Sequence, residues 1–174
     1  VALPTIASDL NASPATSIWV VNAYQLATVV SLLSLSALGD MIGYRKIYVS
    51  GLVVFTLASL ACTLSRSLAA LTLARMLQGF GSAAIASVNT SLIRVIYPRH
   101  FLGRGMGINA LVVAVSSAAG PTVAAGVLSV ASWPWLFAVN LPVGVAAFVL
   151  SRRFLPDNPV KVKGRHFDWR DGVL

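Results

Sequence analysis

Five apolar stretches of close to bilayer length run through this chain, and the Lys and Arg residues between them fall almost entirely on alternate loops. The stretches cover residues 18–38, 47–65, 68–95, 105–131 and 135–151. A helix rising about 1.5 Å per residue needs about 20 residues to cross about 30 Å of hydrocarbon. The pattern is that of a multi-spanning membrane protein.

Charge assigns a side to each loop. Of thirteen Lys and Arg, eleven lie in three loops: Arg45 and Lys46 after the first stretch, Arg94, Arg99 and Arg104 after the third, and Arg152, Arg153, Lys161, Lys163, Arg165 and Arg170 after the fifth. The other two loops hold Arg66, and Arg75 sits within a stretch. Basic loops stay cytoplasmic, so residues 1–17 are expected to face outward and the carboxyl end inward. An odd number of crossings agrees.

Composition excludes several classes. The chain is 57% hydrophobic and 10% charged, with mean hydropathy +0.81, against roughly 25% charge in a soluble domain. A pI near 10.6 would suggest nucleic acid for a soluble protein; beside membrane spans the anionic headgroups of the lipid bilayer are the nearer partner, and no nucleic acid is expected. Cys62 has no second thiol, which removes disulfide and thiolate-metal readings and leaves a small packing residue. The chain contains no Glu, and Asp9, Asp40, Asp157, Asp168 and Asp171 all lie outside the stretches, as do His100 and His166. No catalytic triad, metal cluster or phosphate-cradling loop can be assembled, so neither an enzyme nor a cofactor is expected.

The ends read differently. Residues 1–7 are apolar but too short to cross and lack the basic start of a signal peptide, so they are expected to be the tail of a truncated helix. Residues 156–167 are polar, carry Pro156 and Pro159, and read as a cytoplasmic linker. Residues 168–174 combine Asp168, Trp169, Arg170 and Asp171 with renewed apolar residues, which predicts the start of a further span.

Arg75 is the one cation placed in hydrocarbon. It follows Ser67 by eight residues, about 12 Å of helix. A lone Arg near a helix centre costs about 2.5–3.5 kcal/mol on insertion scales, so it should face a cavity or a partner. Gln78 and Gly79 lie on the same face, and Gly79 leaves room for another backbone or a ligand. The alternative is that Arg75 snorkels outward along Leu71 and Leu68.

Four motifs carry a family resemblance. Residues 71–84, where Arg75 is followed by Gln78, Gly79 and a run of small residues, resemble the fourth-helix motif of the major facilitator superfamily. The resemblance implies that Arg75 takes part in proton coupling, with carboxylate neighbours from a first helix that is mostly missing here. Residues 36–46 resemble the family's signature between helices two and three, retaining Gly39, Asp40, Gly43, Arg45 and Lys46, while Ser36, Met41 and Tyr44 replace a Gly, a basic residue and an Arg. Physically, Gly43 permits a tight turn and Asp40 can cap a helix or pair with a cation. In the family this loop latches the cytoplasmic side; by itself it reads as a basic turn.

Residues 116–126 resemble the antiporter motif of the fifth helix, with Ala124 and Ala125 in place of its paired glycines. Pro121 should bend this helix and free the Ser117 carbonyl. Ser116, Gly120 and Ala124 form a small-residue ridge, as do Ala118, Thr122 and Gly126, so close helix packing without any transport role is the other reading. Residues 133–144 are similar to the aromatic entry to helix six in the fourteen-helix drug:proton antiporters, although Pro134 stands where Arg is common. Trp133 and Trp135 are expected as interface anchors and Pro142 as a kink. Trp19, Asn22, Tyr24 and Gln25 fit the same subfamily.

The expected fold is an all-α membrane protein, a major-facilitator-type helical bundle. Residues 1–155 would hold the end of helix one and helices two to six, most of the amino-terminal six-helix half. The resemblance implies a proton-coupled multidrug efflux transporter of the cell membrane, exporting small hydrophobic or cationic substrates by alternating access. It would be driven by the proton gradient, and the segment alone would be inactive because the carboxyl-terminal half of the same transporter completes the cavity. Arg75, Gln78, Gly79, Asp40, Gly43, Arg45, Gly120 and Pro121 are the coupling and switching candidates. Asn22, Tyr24, Gln25, Asn109 and Asn140 are the cavity candidates, and Asn89 reads as interhelical glue. The rival readings are a facilitator for a narrow-specificity metabolite or anion, and a channel or structural subunit, which would need a constriction or a repeated partner face that the sequence does not display.

Overall fold

The computed structural model describes residues 3–10 and 12–156. The expected linker beyond Pro156 and the expected start of a further span at 168–174 lie outside the described residues. The described chain is helical: α1 (Leu3–Asp9), α2 (Pro14–Ser17), α3 (Trp19–Ile42), α4 (Tyr44–Leu64), α5 (Leu68–Ile96), α6 (Leu102–Val130), α7 (Trp135–Ala138) and α8 (Asn140–Phe154). Five helical stretches are long and apolar enough to cross a membrane: Ala15–Ile42, Tyr44–Leu64, Leu68–Ile96, Arg99–Val130 and Trp135–Phe154. Each matches one expected stretch and runs beyond it at one end or both, by polar end residues that remain helical in four cases and by Ile96 in the third stretch.

Local chemistry sets the boundaries. Ser13 and Ser67 cap α2 and α5, their hydroxyls accepting from the Thr16 and Ala70 N–H groups at 3.2 Å. Gly43, at φ 106°, both ends α3 and opens α4, and its N–H donates to the Gly39 carbonyl at 2.9 Å. An L side chain is strained at that angle, which gives the glycine its reason. Pro142 has no N–H for the Ala138 carbonyl, and the helix is interrupted there, between α7 and α8. By contrast, α6 runs on through Pro121 as a single helix.

The central helix is α5, packed along α3 on one side and α4 on the other. Two glycines permit this. A Cβ at Gly79 would stand 2.5 Å from the Tyr24 carbonyl oxygen of α3, and one at Gly81 would stand 2.5 Å from the Phe55 nitrogen of α4. Gly144 lets α8 close on Thr56 of α4 in the same way.

Two apolar clusters mark the bundle's ends. One joins Ile6, Val20, Cys62, Leu71, Ala74 and Trp133. The other joins Ile47, Ala84, Val88 and Leu92, with Tyr44 and Leu155 packed against it. The second end carries the basic loops, and Arg45 Nη2 there donates to the Arg152 carbonyl at 2.7 Å. Loops that alternate in sequence thus meet in space.

Two expectations are modified. Trp135 projects outward, 59% exposed, as an interface anchor would, but Trp133 is 3% exposed and belongs to the core. Its indole Nε1 donates to Asp9 Oδ2 at 2.8 Å, tying α1 to the start of α7. On α6 the buried residue is Gly105, and a Cβ at Gly120 or Gly126 would meet nothing within 4 Å. No described segment packs on that small-residue ridge.

Candidate substrate and coupling site

Arg75 stands two turns into α5 and is half-buried. Its Nε donates to the Val20 carbonyl at 3.2 Å and its Nη1 to Gln78 Oε1 at 2.6 Å. The guanidinium carbon lies 4.2 Å from the centroid of the Tyr24 ring and 5.7 Å from that of Phe137, both within cation–π range. The guanidinium is therefore held between the Val20 carbonyl, the Tyr24 and Phe137 rings and the Gln78 amide.

Its surroundings are polar but uncharged. Gln78 is 1% exposed, and its Nε2 donates to Ser59 Oγ at 2.8 Å. The Cys62 thiol lies 4.0 Å from Gln78 Oε1. Tyr24 is held in turn, its hydroxyl donating to Ser82 Oγ at 2.8 Å. Thr28 Oγ1 bridges α3 and α5, donating to the Tyr24 carbonyl at 2.8 Å and the Gly79 carbonyl at 3.3 Å. The acidic side chains among the described residues are Asp9 and Asp40, bound by Trp133 and Tyr44, and neither pairs with Arg75. An aromatic row does lead toward one of them: Phe137 meets Trp133 edge-on with centroids 6.3 Å apart, and Trp133 holds Asp9.

The second candidate group lies at the basic end. Tyr44, which stands where the resembling loop has Arg, donates its hydroxyl to Asp40 Oδ1 at 2.7 Å. Gly39 is buried, and a Cβ there would come 2.7 Å from Val88 Cγ1. Asp40, Gly43 and Arg45 are thereby assembled around one turn, with Arg45 reaching the carboxyl end of α8.

The cavity candidates are divided. Tyr24 joins Arg75, Asn22 and Asn140 are half-buried, and Gln25 is exposed. Asn109 instead accepts from Asn89 Nδ2 at 2.9 Å, linking α5 to α6. Asn89 lies fourteen residues from Arg75, about 21 Å along α5, so this pair is a helix tie at another level. Gly120 and Pro121 are exposed on α6. An open apolar hollow of about 440 Å³ between α3, α4 and α5 has none of these candidates in its wall.

Sequence reasoning missed Ser59, Phe137 and the Val20 carbonyl, and saw in Cys62 a packing residue alone. Ser59 was visible as a hydroxyl within an apolar stretch, but one residue's identity does not name its partner on a neighbouring helix. The Val20 carbonyl carries no side-chain signal at all.

Comparison with known proteins supplies the family. The family described as Major Facilitator Superfamily matches residues 1–170. The chain is 65% identical, over its whole length, to the uncharacterized transporter YebQ of Escherichia coli, covering 38% of that protein. It is 37% identical over its whole length to the tetracenomycin C resistance and export protein of Streptomyces glaucescens, covering 32% of it. It is 30% identical over 97% of its length to the riboflavin transporter RibZ of Clostridioides difficile, covering 37% of it. The chain thus spans about a third of the length of these curated relatives. With a family match across nearly every residue and five helices long and apolar enough to cross a membrane, one of them carrying Arg75, the chain belongs to the Major Facilitator Superfamily, whose members are transporters and not enzymes.

Proposed function

We propose that the complete protein is a proton-coupled exporter of small hydrophobic or cationic compounds, working by alternating access, and that this chain supplies most of its amino-terminal helical half. The observation that carries the reading is the state of Arg75. A permanent cation inside a span is held by a neutral amide, a backbone carbonyl and an aromatic face, with no carboxylate among the described residues. Such a guanidinium can exchange these partners for a carboxylate. A carboxylate beside a guanidinium gives up its proton more readily, so the position of Arg75 ties protonation to conformation. The carboxylate is proposed to come from the part of helix one outside this chain. Similarity to the tetracenomycin C resistance and export protein supports the outward direction.

The remaining candidates take roles around this centre. Gln78 and Gly79 hold Arg75 and the close approach of α3. Asp40, Gly43 and Arg45 form a latch at the basic end, proposed to be cytoplasmic in the cell membrane, and the Arg45 bond to the Arg152 carbonyl supports that role. Asn22, Tyr24, Gln25 and Asn140 are proposed to line the substrate path, and Asn109 to set the spacing of α5 and α6. Gly120 and Pro121 are proposed to pack against a moving segment outside this chain, the carboxyl-terminal half being the natural source.

The experiment is proton movement in inverted vesicles containing the complete protein, energised to an acidic interior and challenged with ethidium. Substrate-dependent proton release from the interior is expected. No response to a broad panel of lipophilic cations, with the protein correctly inserted, sinks the exporter reading. A second reading is then favoured by the 30% identity to the riboflavin transporter: a facilitator for one metabolite. Saturable uptake of one metabolite, without response to lipophilic cations, identifies it.

A further inference from the structure

Gln78 uses both ends of a buried amide. Its Oε1 accepts from Arg75 Nη1 at 2.6 Å, and its Nε2 donates to Ser59 Oγ at 2.8 Å. Ser59, itself fully buried, has already committed its hydrogen to the Phe55 carbonyl one turn back, at 2.8 Å. Toward Gln78 it therefore presents lone pairs alone. Reversing the amide would set its NH₂ against a guanidinium, donor to donor, and its carbonyl against an oxygen that has no hydrogen to give. We infer that Ser59 is a positioning residue for Arg75: by acting solely as an acceptor it locks the Gln78 amide with Oε1 offered to the guanidinium.

The run has one direction, from guanidinium to amide, amide to hydroxyl, and hydroxyl to backbone carbonyl. No buried side-chain nitrogen or oxygen in it lacks a partner while Arg75 stays. When Arg75 leaves, Oε1 is stranded in a buried place beside the Cys62 thiol at 4.0 Å, a weak donor. Ser59 thus sets the gap between Arg75 held and Arg75 released, which is the step that the proposed coupling depends on. The inference rests on that reading.

The test uses the complete protein in vesicles, with ethidium efflux as the rate and thermal unfolding in detergent as a second measurement. Ser59→Ala should slow efflux by roughly tenfold, the size of one hydrogen bond in a chain ending on a charged group. The same change made together with Gln78→Met should add nothing. Ser59→Thr keeps the hydroxyl and should retain most of the rate, whereas Ser59→Cys fills the site with a larger sulfur that is only a weak acceptor and should behave like Ala. Additive effects of Ser59→Ala and Gln78→Met, or a normal rate in the Cys variant, overturn the inference. If the unsubstituted protein does not pump ethidium, the exporter reading fails by itself and unfolding decides the positioning role. Ser59 and Arg75 are joined in the structure through Gln78, so coupling between Ser59→Ala and Arg75→Ala that vanishes with Gln78→Met supports the inference. Absence of that coupling rejects it.

Discussion

Replacing Gly79 with Ala tests whether the closeness of α3 and α5 is what holds Arg75 in place. The added Cβ would stand 2.5 Å from the Tyr24 carbonyl oxygen, 2.9 Å from Ala27 Cβ and 3.2 Å from Thr28 Oγ1. The shortest of these is to backbone, which cannot swing aside as a side chain does. Ordinary contact begins near 3.4 Å, so α3 must retreat by about 0.9 Å. Carried to Val20, one turn from Tyr24, that shift lengthens the Arg75 hydrogen bond from 3.2 Å to about 4 Å, beyond reach. The Tyr24 ring, now 4.2 Å from the guanidinium carbon, would stay within about 6 Å and keep part of its attraction.

Overpacking costs about 1–3 kcal/mol, and Ala regains about 1 kcal/mol over Gly in helix propensity, leaving a stability loss of about 0–2 kcal/mol to which the lost Arg75 bond adds. The lost charge-assisted bond is worth about 1.5–3 kcal/mol, or roughly tenfold to a hundredfold in how firmly Arg75 is held. Transport should therefore fall by about tenfold or more while the protein still inserts and folds. Ethidium efflux and thermal unfolding of the complete protein, measured for Gly79→Ala beside Gly107→Ala, check this, because a Cβ at Gly107 would meet nothing within 4 Å. Full efflux and unchanged unfolding in Gly79→Ala would refute the link between helix spacing and the arginine.

Other outcomes follow from the same geometry. Arg75→Ala should abolish coupled transport while insertion persists, and normal coupling in that variant removes Arg75 from the mechanism. Gly43→Ala forces an L side chain to φ 106° and should cost about 1–3 kcal/mol in unfolding measurements. Asn109→Leu breaks the Asn89 bond, and a double-mutant cycle should return a coupling near 0.6 kcal/mol, the average for hydrogen bonds between membrane helices. Tyr44→Phe frees Asp40 at an exposed site, so stability should change by less than about 1 kcal/mol. If the turn is a latch, that variant should alter the transport rate instead.

The number, extent and alternation of the spans were legible in the sequence because each depends on its own residues. Apolar length decides whether a segment crosses, charge decides which loops share a side, and Gly43 and Pro142 act on the backbone where they stand. The family followed from short motifs at set spacings, and Arg75 stood out because a cation in hydrocarbon needs an explanation. Its partners could not be read the same way. Nearly all-apolar helices leave their rotation about the axis unmarked, so Tyr24, Val20, Ser59 and Phe137 were indistinguishable as neighbours until α3, α4 and α7 were placed around α5. The bond between Asn109 and Asn89 was unreadable for the same reason, and Trp133 was expected at the interface and is buried. The sequence by itself determined that the described residues hold five helices long and apolar enough to cross a membrane, with a charge inside one of them. Tertiary structure alone decided what that charge touches, since contacts between residues 55 positions apart depend on helix rotation and on the two glycines that let three helices close.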